Sequence, residues 1–183
     1  MASIETLPCD GAEVKLRIRS VVYTNGIPEP PISMGESFLP EEELSPSGEP
    51  VSDEDLGDEG PQRLEQVMLA TFSEENGRVT ISYDDSEILE LPPTLTQITF
   101  TRDEPGLVSI IRSGGLKSMI TVEEGRRHSG EYRFGPYSMP MAFYGRRVRN
   151  GIADGEGTLE LEYAVEMSGT DTQITKMQIT VSR

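Results

Sequence analysis

The sequence predicts an all-β domain: a small antiparallel up-and-down barrel of about 8–10 strands, with a long acidic, proline-rich insertion after the first strand. Three observations predict it. Apolar and polar residues alternate at period two along most of the chain, which is the pattern of a strand with one buried and one wet face. Turn signals recur about every 8–12 residues. Crossover helices, which parallel strands would need, are nearly absent, so neighbouring strands pair antiparallel.

The first strand spans Glu13–Tyr23, where Val14, Leu16, Ile18 and Val22 share one parity and Lys15, Arg17 and Arg19 take the other. Thr24-Asn25-Gly26 then supplies turn chemistry. From Ile27 to Arg63 the composition changes: seven of the 13 prolines lie here, with Phe38 the one aromatic. Such a stretch buries too little apolar surface to offset its ordering entropy, and it is expected to be largely disordered. Leu64–Phe72 has two readings. Leu64, Val67, Met68 and Phe72 fall at helical spacing, yet Asn76-Gly77 ahead of Val79, Ile81 and Tyr83 is the strongest short-range hairpin signal.

Strands and turns then follow one another to the end. Thr96, Ile98 and Phe100 alternate up to Glu104-Pro105-Gly106, a sequence suited to a type II turn. Leu107–Arg112 is closed by Ser113-Gly114-Gly115, Leu116–Val122 by Glu124-Gly125, and Arg126–Phe134 by Gly135-Pro136. In the next run Met139, Met141 and Phe143 share a face, and Pro140 marks an edge or a bulge. Asn150-Gly151 and Asp154-Gly155 make the next connection. Thr158–Met167 then turns Leu159, Leu161, Tyr163, Val165 and Met167 inward. After Ser168-Gly169, the last strand keeps Met177, Ile179 and Val181 on a parity that Ile174 lacks, which predicts a bulge near Thr175-Lys176.

The opening strand Val14–Val22, the Gly77–Tyr83 strand, Ile111-Arg112-Ser113-Gly114, Tyr137-Ser138-Met139-Pro140-Met141, and the closing Leu161-Glu162-Tyr163 and Thr175–Val181 strands resemble, in that order, the YwiB-like bacterial family of unknown function. The resemblance covers nearly everything outside residues 1–12 and 27–63. It implies a calycin-like (lipocalin-like) barrel, favours strand for Leu64–Phe72, and brings no activity with it. Two departures stand out. The family joins its first two strands briefly, where this chain inserts a long segment. It also places Gly after a Pro-aromatic pair, where this chain has Pro140-Met141-Ala142. The domain organisation that results is a tail over 1–12 and one barrel over 13–183, interrupted by 27–63.

Charge and composition exclude several functions. The net charge is −16, but eleven of the 32 acidic residues lie between Glu29 and Gly60, where there is no Lys or Arg. The rest of the chain carries 21 acidic against 16 basic residues, a net of −5. No one-sided basic field is left for a phosphate backbone, so nucleic acid is not an expected partner. Cys9 is the one cysteine, too few for a disulfide or a zinc framework. No apolar run has the length of a signal peptide or a membrane span, so a cytoplasmic protein without membrane association is expected, as monomer or homodimer.

His128, within Glu124–Gly130, is the one histidine; on what reads as a hairpin tip it is expected to be a solvated imidazole, not a general base. Asp53–Asp58 fails as a calcium loop, because Gly57 and Leu64 fall where oxygen ligands belong. Gly155-Glu156-Gly157 enters a strand, not a helix, and implies no dinucleotide site. Arg126, Arg127, Arg133, Arg146, Arg147 and Arg149 are expected to balance neighbouring Glu residues. Arg112 ends an apolar run; with Tyr83 and Tyr137 it is the candidate ligand-binding set at a barrel mouth, and no catalytic residue, metal site or cofactor is expected. The expected function is non-catalytic binding of a small apolar or amphipathic ligand in the barrel. The alternative is an intracellular interaction module acting through its outer face or acidic loop.

Overall fold

The computed structural model describes residues 11–24, 61–85, 92–167 and 171–183 of the chain. They form ten strands: β1 Ala12–Tyr23, β2 Gln62–Glu75, β3 Arg78–Asp84, β4 Thr94–Thr101, β5 Leu107–Gly114, β6 Leu116–Glu123, β7 Arg127–Phe134, β8 Tyr137–Asn150, β9 Gly157–Met167 and β10 Asp171–Ser182. Each pairs antiparallel with its neighbours in sequence. Pairing of β1 with β10, through Leu16↔Val181 and Ile18↔Ile179 among others, closes the barrel. Closure pairs every strand on both sides, over only three residues between β6 and β7.

Period-two alternation decides what lies inside. Val14, Leu16 and Ile18 of β1 meet Val79 and Ile81 of β3, Ile98 and Phe100 of β4, Leu159 and Leu161 of β9, and Ile179 and Val181 of β10 in one buried core. Each such side chain contributes about 1.5–3 kcal/mol when fully buried. Ile152, from the β8–β9 connection, is buried in the same core and plugs one end of the barrel. Arg102 pins that plug, its Nη1 donating to the Ile152 carbonyl at 2.5 Å while Nη2 holds Glu74 at 2.7 Å.

Leu64–Phe72 lies within β2, and the hairpin that follows has Asn76 and Gly77 at φ 51° and 77°, as a tight primed turn requires. The type II turn expected at Glu104-Pro105-Gly106 does not form. The Leu107 amide does bond the Glu104 carbonyl (3.1 Å), but Gly106 stays outside the left-handed region, and Pro suits the second position of a type I turn equally well.

The bulge expected near Thr175-Lys176 is also absent. The β9–β10 ladder runs without a slip through Ile174↔Ala164 and Thr175↔Tyr163. Thr175, not Ile174, takes the inward position, because the buried Tyr163 hydroxyl finds its hydrogen-bond partner there. The register shift is in β8 instead, between Gly145 and Arg147. Pro140 sits where the β8–β9 ladder, which begins at Met141, has not yet started. Gln62 and Arg63, expected at the end of the disordered segment, are instead the first residues of β2, paired with Val22 and Val21. The rest of that segment apart from Pro61, the calcium-like run Asp53–Asp58 and the turn at Ser168-Gly169 lie outside the described residues.

Candidate functional site

Opposite the Ile152 plug, at the end where the β5–β6 and β7–β8 hairpins turn, the inward positions become polar. Tyr83 and Asp85 continue the parity of Val79 and Ile81, Thr96 that of Ile98, Arg112 that of Val108 and Ile110, and Ser118 that of Val122. These groups bond one another. Asp85, 5% exposed at its side chain, accepts from Arg112 Nε (3.2 Å) and from Thr96 Oγ1 (3.0 Å). A buried carboxylate is tolerated only when paired and hydrogen-bonded in this way. Burial pushes the Tyr83 phenol well above the usual range, and nearby Asp85 pushes it further. Burial likewise raises Tyr163, against an opposing effect of Arg112.

Next to this layer the hydrogen-bond ladder between β6 and β7 is short. The β6–β7 ladder runs through Leu116↔Phe134, Lys117↔Arg133 and Ser118↔Tyr132 and stops there. Beyond it, the turn after β6 folds onto β8: Gly145 exchanges backbone hydrogen bonds with Gly125 and Arg126, both at 2.9 Å. A side chain at Gly145 would put its Cβ 2.2 Å from the Glu123 carbonyl oxygen, so only glycine permits this approach. The result is a seam between β6 and β7, bridged at its far end by Glu123, which holds His128 and Arg126 at 3.0 Å each.

A groove of about 550 Å³ lies along the seam. Lys117, Met119, Glu131 and Arg133 line it from outward positions, and Arg112, Ser118 and Gly130 from inward ones, so the groove crosses the wall. At Gly130 the two strands lie close together, since a Cβ there would lie 2.5 Å from the Met119 carbonyl oxygen and 2.7 Å from the Phe143 ring. Of the three residues singled out by sequence, Arg112 lines the groove. Tyr83, 7% exposed, sits behind it in the polar layer, and Tyr137, 76% exposed, stands outside on the β7–β8 hairpin.

His128 is not the solvated imidazole expected. It is the second residue of β7, part-buried against Glu123. Four of the six arginines meet carboxylates: Arg126 holds Glu123 at 3.0 Å, Arg127 holds Glu166 at 2.7 Å, Arg133 holds Glu131 at 2.7 Å and Arg146 meets Glu162 at 3.6 Å. Ser118, Lys117 and Asp85 were missed by sequence reasoning. The available signal was parity, since Asp85 extends the inward series of Tyr83, and Ser118 interrupts an inward series of apolar residues.

Among the described residues no His, Cys, Asp and Glu cluster is placed to hold a metal ion, and no helix is long and apolar enough to cross a membrane. The fold and the groove together define a closed ten-stranded, up-and-down β-barrel with a polar mouth and a parted seam. The chain belongs to the family described as a domain of unknown function, DUF1934, whose model matches residues 51–179. Its fold is similar to that of the ywiB protein from Bacillus subtilis, known from a crystal structure, with a TM-score of 0.65 and 14% identity. That similarity covers 93% of this chain and 90% of the other. The comparison with curated proteins finds no match.

Proposed function

We propose that this protein is a non-catalytic binding barrel that takes a small amphipathic ligand at the β6–β7 seam, with Arg112 as its polar anchor. The observation that carries the reading is the position of Arg112: an inward-facing guanidinium, fixed through Nε by buried Asp85, that lines a groove open to solvent. Binding sites of this kind combine a concave, partly apolar surface with a few polar groups held in place. Here Met119 and its cross-strand partner Ile111 supply apolar surface on the outer wall. Asp85 and Thr96 fix the arginine before any ligand arrives, which lowers the ordering cost of binding. Tyr83 supports that layer from behind.

Titration with decanoate and with decan-1-ol, followed by amide NMR, tests the reading. Saturable shifts are expected at Arg112, Ser118, Met119 and Gly130 with at least one of the two. If neither probe produces saturable shifts at these amides, the reading is wrong.

Contact with a protein partner through the outer wall is a second reading. It is supported by Val67 and Leu69, 50% and 65% exposed on the outward face of β2. Replacing both with Ser should abolish a co-purifying partner if that face is used, and an unchanged set of partners counts against it.

A further inference from the structure

A residue that lines the groove carries a buried polar atom that the fold leaves unsatisfied. Ser118 is 8% exposed, and its Oγ has no hydrogen-bond partner. Buried hydroxyls are nearly always bonded, and an unbonded one costs stability. Ser118 is among the residues that line the groove and stands across the β5–β6 ladder from Arg112.

A second feature points the same way. Lys117 and Arg133 are direct cross-strand partners on the outward side of the groove. Like charges placed opposite one another in a ladder repel. Arg133 is offset by Glu131, which also accepts from Ser138, and those two bonds hold the Glu131 carboxyl below its usual range. Arg112 is offset by Asp85. Lys117 has no ion-pair partner among the described residues. With two cations paired and the third not, the groove carries one uncompensated positive charge beside an unsatisfied hydroxyl.

Resting on the reading of this groove as a ligand site, we infer that its ligand carries a carboxylate, bound with one oxygen on Ser118 Oγ and its charge facing Lys117 and Arg112. A single carboxylate matches both the one spare charge and the free donors. Asp85 takes the Nε–H of Arg112, and a guanidinium has further N–H groups to give. The paired Glu131 on the rim disfavours a more highly charged anion. The apolar remainder of the ligand then lies along Met119.

Calorimetric titration with decanoate, decan-1-ol and decyltrimethylammonium tests the inference. Decanoate should bind about tenfold or more tightly than either of the others, the gain of a charge-assisted hydrogen bond in a partly buried site. Ser118→Ala should weaken decanoate about fivefold or more, leave decan-1-ol unchanged and raise the Tm of the ligand-free protein, since it removes a buried unbonded group. Lys117→Met, at an exposed position, should also weaken decanoate selectively. Equal affinity for decanoate and decan-1-ol, or preference for the cation, overturns the carboxylate inference and leaves the binding reading standing. So does a decanoate affinity untouched by both substitutions. If no probe binds, both fall.

Discussion

Arg112 and Asp85 form a pair whose two halves differ in burial, and that difference predicts how each substitution behaves. Replacing Arg112 with Met strands a carboxylate that is 5% exposed. The loss should be about 2–3 kcal/mol, below the roughly 3–5 kcal/mol of a fully buried pair because the arginine is partly solvated. Adding Asp85→Leu to Arg112→Met should recover most of that loss in a urea-unfolding double-mutant cycle. The tyrosines behind the pair set the alkaline limit. Tyr83 and Tyr163 both ionise above the usual 10.0 when folded, chiefly through burial. Above 10.0 the unfolded chain gives up these protons and the folded chain keeps them. Stability is therefore fully present below pH 10 and falls as pH rises beyond it. Urea midpoints on either side of that pH should show the fall, and it should shrink in Tyr163→Phe. A midpoint that is flat across pH 10 contradicts the burial of these phenols. At this scale the sequence told much about Arg112, because its polar side chain shares parity with Val108 and Ile110. It told little about Asp85 or Ser118, whose meaning depends on partners from other strands.

Strands and turns were legible wherever side-chain parity and turn residues agreed. The strands other than β2, the Asn76-Gly77 hairpin and the inward face of β9 follow from local pattern; β2 does not, because Leu64–Phe72 fits helical spacing as well, and the family resemblance is what favours strand there. Two of the errors share a cause, a tertiary partner that local pattern does not show. In β10 an inward Thr175 serves Tyr163, so the polar residue read as a break is part of the core. In β8 the register shift follows from Gly145 lying against the turn after β6, a contact between residues far apart in sequence. The seam was invisible for the same reason, since β6 and β7 each alternate normally and nothing in either says that their ladder stops at Ser118. Gly145→Ala should test the packing that parts them. A Cβ 2.2 Å from a backbone oxygen forces the strands to shift, and the expected loss is about 2 kcal/mol or more. Gly151→Ala, whose Cβ would meet nothing closer than 3.4 Å, should cost much less in the same thermal or urea measurement.

The whole molecule is a ring of hairpins closed by one long-range ladder. Val22 and Gln62 are register partners, so β1 and β2 already meet where the intervening chain leaves and returns. The barrel needs only a short link between them. Replacing residues 27–60 with a six-residue Gly-Ser linker should leave the fold intact and raise stability by about 1–2 kcal/mol through the smaller loop-closure entropy. A loss of folding on that deletion contradicts the independence of the barrel. The closed outline was legible in the sequence because antiparallel neighbours with one oily face have few other ways to bury it. The short β6–β7 ladder was not, and the proposed site lies along it. Amide hydrogen exchange, read residue by residue with and without decanoate, tests it most directly. In the free protein those amides of Met119–Thr121 and Ser129–Glu131 that point toward the seam, and not toward β5 or β8, should exchange faster than the bonded amides of the β1–β10 ladder, and decanoate should slow them before any others. A seam as protected as β1–β10 in the free protein, or protection by decanoate that falls elsewhere, contradicts the account.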